Sequence, residues 1–285
     1  MPVPAADEEV VTTVAPAAVR TMQLRVAPGA VRWLHIPKTG SAFINVLARY
    51  ACHGVPKNTT FAMAHDFNRW MSSSAVPRCV RLLPPWVGHA PTRSVEVQPT
   101  GSRRVLVALF RRPAQRLLSG FHHVEGGVQA AIAPGMTPAR RAEMQRAIGS
   151  SAAKYARWPG VAGCMTKMLL GLPCASTRPL RQPNATRAAL VVRERLRFVG
   201  LTDEWERSVC LFHAMLRGGA PALPTELART HVGVARPRGG TGAYDEASLD
   251  GFVDRHDEVV YAAARQRFAD DLKRVGTCGR LPGAS

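Results

Sequence analysis

A short loop between two patterned segments most constrains how this chain can fold. Residues 30–34 (AVRWL) have the apolar and β-branched character of a strand, and residues 43–50 (FINVLARY) have helical periodicity. Residues 35–41 between them read HIPKTGS. A strand, a short glycine-containing loop and a helix together point backbone N–H groups and the positive end of a helix dipole at an anion. The pattern predicts a phosphate-binding loop, with an ordinary surface turn as the alternative.

The lysine of this loop strengthens the prediction. Only five of the 38 basic residues are lysine, so a lysine at position 38 indicates that a compact ammonium group is needed there. The usual nucleoside-triphosphate loop has glycine, four residues and then Gly-Lys-Ser/Thr. Here Lys38 precedes Gly40, which excludes that motif.

A second strand-to-helix junction follows about seventy residues later. Residues 103–110 (RRVLVALF) are a near-continuous apolar run behind two arginines, as in a buried parallel strand. Residues 111–121 (RRPAQRLLSGF) then start a helix, with Pro113 in its first turn. Arg111 stands at the carboxyl end of the strand, where open α/β sheets bind ligands. Ser119, two turns along the helix, can add a hydroxyl to the same anion site.

Together the two motifs resemble those of sulfotransferases that use 3′-phosphoadenosine 5′-phosphosulfate (PAPS). Pro-Lys-Thr-Gly-Ser after a strand is similar to the family's 5′-phosphosulfate loop, and Arg-x-Pro-x-x-Arg-Leu-x-Ser is similar to its 3′-phosphate motif. Residues 163–171, 198–205 and 261–272 extend the resemblance. It is firm at the two motifs, loose between them, and closest to the Golgi membrane-type uronosyl 2-O-sulfotransferases.

This resemblance implies an α/β fold in one domain, with a P-loop-like parallel sheet flanked by helices. It implies transfer of a sulfuryl group from PAPS to a hydroxyl of a carbohydrate, an anionic glycan, with no metal required. Lys38 would stabilise the departing phosphate. Arg111 and Ser119 would bind the 3′-phosphate, with Arg116 in a supporting position. The remaining residues expected at the 5′ end of the nucleotide are Pro37, Thr39, Gly40, Ser41 and Ala42.

A general base and a nucleotide-covering loop complete the implied site. Neutral imidazole suits proton abstraction near pH 7, and His89 in Trp-Val-Gly-His resembles the Gly-His element of 2-O-sulfotransferases; a loop histidine is the alternative. Residues 236–242 (RPRGGTG) resemble the basic glycine-rich loop that closes over the nucleotide, through Arg238 and Gly239. The chain departs from the family at Arg112, usually Asp, and at Ala42, often Ser or Thr.

Charge and composition limit the partners. The 38 basic against 20 acidic residues give a net charge of +18, which favours polyanions through a long-range field; a coding bias toward arginine and alanine is a second cause. No zinc-finger spacing, arginine-rich helix or aromatic RNA-binding signature occurs, so a nucleic-acid partner is not expected. The alternatives are a P-loop-type kinase, which needs a strand-end aspartate for Mg²⁺, and a non-catalytic polyanion-binding protein. No apolar strand ends in aspartate, and no cysteine spacing predicts a metal site.

The cysteines and the apolar content of the sequence indicate the cellular compartment in which we expect the protein. Six cysteines allow disulfides. Cys164 and Cys174 bracket a short loop and are the best candidate pair, while the other four leave several pairings open. No stretch reaches the roughly 20 apolar residues of a membrane span, so we expect this chain to lack the anchor typical of the family, either through truncation or because the enzyme is soluble. We expect a Golgi or other secretory lumen, a leader at 1–30, a sulfotransferase domain at 31–274 and a tail at 275–285.

Periodicity and turn residues predict the elements. Strands are expected near 31–36, 104–110 and 197–200, with a short one at 84–88. The segment 173–186, rich in Pro, Ser, Thr and Asn, is expected to be a loop. Helices are expected near 41–52, 113–124, 138–157, 161–171, 203–217, 245–255 and 257–274.

Overall fold

The computed structural model describes most of the chain between residues 31 and 278. The described parts are residues 31–52, 54–62, 64–73, 91, 105–122, 137–228 and 243–278. The expected strand at 84–88, the candidate base His89, and the loop residues Arg238 and Gly239 lie outside them.

Three parallel strands form the sheet, in the order β1-β2-β3. They are β1 Val31–Leu34, β2 Val105–Phe110 and β3 Leu196–Leu201. β2 is central and almost entirely buried, as its unbroken apolar sequence requires of a strand covered on both faces. The prediction of an α/β fold with a parallel sheet flanked by helices is confirmed. Because the strands are parallel, the segments that follow them all start at one edge of the sheet.

Helices pack around this sheet. A 3-10 turn, Ser41–Phe43, leads into α1, and another, Glu246–Leu249, lies before the last helix. The α-helices are α1 Ile44–Ala51, α2 Ala64–Ser73, α3 Pro113–Phe121, α4 Pro138–Ile148, α5 Ala152–Arg157, α6 Cys164–Leu169, α7 Gln182–Glu194, α8 Trp205–Leu216, α9 Pro224–Leu227 and α10 Arg255–Val275.

Two expected helices are interrupted. The helix predicted over 138–157 is broken at Gly149, which has φ of +54°, and a new helix starts after Ser151, whose hydroxyl accepts from the Lys154 N–H. The helix predicted over 245–255 is only the 3-10 turn, because Asp250 and Gly251 both adopt positive φ and end it. These left-handed residues end each helix at a point where the helical periodicity of the apolar residues continues along the sequence.

The prediction of a loop over 173–186 is wrong at its end, where α7 begins. The first turn of α7 contains Pro183, which suits a helix start. Asn184 accepts the Arg181 N–H at 2.8 Å through Oδ1. Residues with the composition of a loop therefore form the helix start, and Asn184 caps it.

An aromatic cluster lies directly behind the first loop. Phe43 stacks on Phe198 of β3 with ring centroids 5.7 Å apart, and Phe212 of α8 meets Phe43 edge-on at 5.2 Å. All three are fully buried. Phe43 closes the 3-10 turn that follows the loop, so the core holds the end of the loop in place.

Two disulfides are formed between described residues. Cys164 pairs with Cys174, which confirms the predicted pair, and Cys210 pairs with Cys278. Cys52 is also disulfide-bonded. Such cross-links are compatible with a secretory or lumenal protein. Among the described residues, no helix combines the length and apolar character needed to cross a membrane.

Candidate functional site

The first loop has a left-handed backbone at two positions, of which only the non-glycine one is strained. Lys38 adopts φ of +68° and Gly40 φ of +114°. Thr39 between them is buried, and both its N–H and its hydroxyl point back to the Ile36 carbonyl, at 3.4 and 2.9 Å. The loop is thus a tight turn that the chain itself holds. A non-glycine residue with positive φ is uncommon, and such strain is concentrated at functional sites.

Gly40 is required for space as well as for conformation. A Cβ at this position would lie 3.3 Å from Cζ3 of Trp205 and 3.4 Å from Cδ2 of Leu109. The loop therefore lies directly against β2 and the start of α8. Pro37 before it is buried as well.

After Gly40 the chain turns into the 3-10 helix, with Ser41 half-buried and Ala42 buried. The first N–H groups of a helix have no carbonyl partner within that helix, and they attract anions. Ala42, without a hydroxyl, has only its backbone N–H to offer. The arrangement of strand, turn and helix start is the one expected for a phosphate cradle.

The second motif meets the first. Arg111 follows β2 directly, is 8% exposed, and donates from Nη1 to the carbonyl of Lys38 at 3.4 Å. Positions 73 residues apart are thus in contact, because β1 and β2 are adjacent parallel strands whose exits share an edge. Ser119 lies half-buried on α3, farther along the same helix.

Thr202 joins the exits of all three strands. It follows β3, its hydroxyl donates to the Thr39 carbonyl at 2.6 Å, and its N–H donates to the Phe110 carbonyl at 2.8 Å. The N-cap of α8 is Glu204, and no side chain caps the helix. Thr202 instead fixes the loop to the sheet.

Tyr244 is a site residue that the sequence did not indicate. Its backbone exchanges two hydrogen bonds with the Gln115 amide, at 2.8 and 2.9 Å. The ring centroid is 5.7 Å from Cζ of Arg111, a cation–π geometry, and the ring stacks on His122 at 5.2 Å. Tyr244 thereby holds the Arg111 guanidinium from one side.

Glu246 strengthens the same connection. One of its carboxylate oxygens accepts from Gln115 at 2.7 Å and also pairs with Arg112. Arg112 stands where the resembled family usually has aspartate, so the departure has a local acidic partner. Residues 244–246 are in this way bound to the start of α3, next to Arg111.

Arg116 is buried in an ionic cluster rather than in an open cleft. It is 2% exposed, donates to the Val161 carbonyl at 3.0 Å, and lies 3.8 Å from Asp254 and 3.7 Å from Asp257. Asp257 accepts the Met165 N–H at 3.0 Å. Burial, together with the neighbouring Asp257 carboxylate, raises the pKa of Asp254 to about 7. Arg116 thus connects α3 to the starts of α6 and α10, a supporting position.

The predicted residues fall into two groups. The structure brings Lys38, Thr39 and Arg111 together at the carboxyl edge of the sheet, with Ser119 on the helix behind Arg111. The roles of His89, Arg238 and Gly239 concern parts of the chain outside the described residues. Within the described ranges, no group of three or more His, Cys, Asp or Glu side chains is placed to hold a metal ion.

Comparison with known proteins adds no family. No protein-family model, curated protein or solved structure matches this chain.

Proposed function

We propose that this protein is a PAPS-dependent sulfotransferase that acts on a hydroxyl of a carbohydrate, with an anionic glycan as acceptor. The observation that carries the proposal is the contact between the two motif turns, Arg111 Nη1 to the Lys38 carbonyl at 3.4 Å. One turn resembles a 5′-phosphosulfate loop and the other a 3′-phosphate motif. Their contact places both at one edge, where a single doubly phosphorylated nucleotide can bind them together.

The donor set fits such a nucleotide. Lys38, an ammonium group on a left-handed turn, and the N–H groups that open the 3-10 helix would hold the 5′ end. The Arg111 guanidinium suits a phosphate through its planar fork of donors, and Ser119 would add a hydroxyl. Because PAPS differs from ADP and ATP in its 3′-phosphate, Arg111 is the residue on which selectivity depends.

The reaction places few covalent demands on the protein. By analogy with loose phosphoryl transfer, it must align the acceptor oxygen with the sulfuryl group and stabilise charge on the leaving phosphate. Lys38 performs the second task. His89 accepts the proton of the acceptor hydroxyl as the S–O bond to the acceptor forms and the bond to the leaving phosphate breaks. The secretory pathway, with the Golgi lumen as its best candidate, is where we place this activity.

Nucleotide selectivity tests the proposal. Titration calorimetry should show that 3′-phosphoadenosine 5′-phosphate binds at least tenfold more tightly than ADP or ATP. Arg111→Ala should abolish this preference, because it removes the charge opposite the 3′-phosphate. Arg187→Ala, the same charge change on the exposed face of α7, should preserve it. Equal affinity for all three nucleotides would instead point to a kinase-like or non-catalytic protein.

Turnover measurements distinguish the residues needed for sulfate transfer from those needed for nucleotide binding. With radiolabelled PAPS and a glycan panel, Lys38→Ala should lose sulfate transfer. His89→Ala should lose transfer yet keep its affinity for 3′-phosphoadenosine 5′-phosphate, since the base does not contact the nucleotide. Normal transfer by His89→Ala would remove that residue from the mechanism.

A further inference from the structure

A pocket adjoins the Arg116 cluster through the turn at 157–163. It has a volume of about 200 Å³ and is formed by the turn at 157–163 and the segment 176–180, with one side chain each from α6 and α10. We call it the basic pocket. Its lining residues with side-chain nitrogens are Arg157, Trp158, Lys167, Arg178 and His256.

Among the described residues, the lining contains basic side chains and no carboxylate. Lys167 from α6 is 4% exposed, and its Nζ donates to the Ala162 carbonyl at 2.7 Å. Arg157 donates to the Asp250 carbonyl at 2.9 Å and lies 3.7 Å from the Asp250 carboxylate, whereas no described residue pairs with the Arg178 guanidinium. A cavity that gathers basic groups in this way is suited to an anionic ligand.

The walls of the basic pocket are preformed. The Cys164–Cys174 disulfide joins the stretches that lead to its two walls. A Cβ at Gly160 would lie 2.8 Å from the Ala175 carbonyl oxygen, and one at Gly163 would lie 2.3 Å from Cδ1 of Leu180. The Gly160 backbone therefore packs against the Ala175 backbone, and the Gly163 backbone packs against the Leu180 side chain, so a ligand does not have to order these segments.

The apolar part of the lining suits a sugar ring. Trp158 is half-buried and lines the pocket together with Pro159 and Pro179. Binding sites of this kind combine flat apolar surfaces with a few polar groups that fix orientation. The volume admits one small ring with its substituent rather than a whole nucleotide.

The basic pocket is also connected to the helix of the second motif. The Val161 carbonyl, in the turn that forms one wall, accepts from Arg116 of α3 at 3.0 Å. Lys167 of the lining interacts electrostatically with Asp257, the carboxylate that faces Arg116. A ligand in the pocket therefore contacts a wall that is fixed to the helix carrying Ser119.

We propose that the basic pocket binds the carboxylate group of one uronate residue in the acceptor glycan. This inference rests on the proposed function only where it identifies the bound glycan as the acceptor. The binding itself requires no nucleotide. Arg178 is the residue that selects the anion, because it lines the pocket, is exposed and has no described partner, while the buried Lys167 supplies a second charge.

Direct binding tests the pocket without catalysis. The probes are a tetrasaccharide with alternating hexuronate residues and the same tetrasaccharide with its carboxylates reduced to alcohols. By titration calorimetry at 0.15 M salt, the acidic probe should bind at least tenfold more tightly. Arg178→Ala should weaken its binding about tenfold, the effect of one charge-assisted hydrogen bond. The matched variant Arg187→Ala, with the same net charge and an exposed position, should stay within twofold.

Two results would overturn the inference. An equal loss in Arg178→Ala and Arg187→Ala would mean that the long-range field alone attracts the glycan. Equal binding of the acidic and reduced probes would mean that no anion is recognised. The affinity for 3′-phosphoadenosine 5′-phosphate is measured on the same variants and should not change. If the nucleotide fails to bind while the acidic probe still distinguishes Arg178→Ala, the sulfotransferase proposal fails and the pocket stands.

Discussion

Thr202→Val removes a hydroxyl that joins the phosphate loop to β3, and the cost in stability can be worked out from the structure. The hydroxyl donates to the Thr39 carbonyl at 2.6 Å, and Thr39 is 2% exposed. Valine has the same shape but cannot donate, so a buried carbonyl loses its partner. Such a loss costs about 1–3 kcal/mol. The Thr202 N–H to Phe110 bond, at 2.8 Å, remains, so the strand exit itself should stay intact.

Urea unfolding, with titration of 3′-phosphoadenosine 5′-phosphate, measures both effects. We expect Thr202→Val to lower the free energy of unfolding by about 1–3 kcal/mol and to weaken nucleotide binding, whereas Thr202→Ser should preserve both. Thr225→Val is the matched control, because its hydroxyl donates to the Lys57 carbonyl at 2.8 Å in an exposed position. A stability loss in Thr202→Val no larger than in Thr225→Val would refute the argument from burial.

Three further changes test other parts of the site. Tyr244→Ala should weaken binding of 3′-phosphoadenosine 5′-phosphate about threefold to thirtyfold by calorimetry, and Tyr244→Phe should not, because only the ring faces Arg111. Asp257→Asn should lower the free energy of unfolding in urea by about 3–5 kcal/mol, while Asp270→Asn, exposed on the same helix, should cost less than about 0.5 kcal/mol; similar losses would argue against the cluster. Burial lowers the pKa of Lys167 to about 8, below its unfolded value, so the unfolded chain binds more protons between pH 8 and 10. Stability should therefore rise with pH there, by up to about 1.4 kcal/mol per unit, and Lys167→Met should remove that part of the slope.

The sheet and the two motif turns could be predicted because their signals are local. The apolar run of β2 is contiguous and that of β1 is interrupted only by Arg32, and the turn at Lys38 and the helix start at Pro113 each lie within a few residues of their strand. The disulfide between Cys164 and Cys174 was predictable for the same reason, since only ten residues separate its ends.

The remaining contacts join distant parts of the chain. The hydrogen bond from Thr202 to Thr39 joins residues 163 positions apart, and the one between Gln115 and Tyr244 joins residues 129 positions apart. The periodicity of a sequence does not predict contacts between such distant residues. Helix α7 was missed because a polar first turn with Pro183 has the composition of a loop. In each case the tertiary partner, rather than the local sequence, decides the conformation.

The Cys210–Cys278 disulfide has a practical consequence for producing the protein. It closes a segment of 68 residues, which by chain entropy alone corresponds to about 4 kcal/mol of stability. Expression in a reducing bacterial cytosol would leave this cross-link open, and with it a large part of what holds α8 to the end of α10. Export to the periplasm, or an oxidising strain supplied with an isomerase, is therefore the appropriate route to material for the titrations described above.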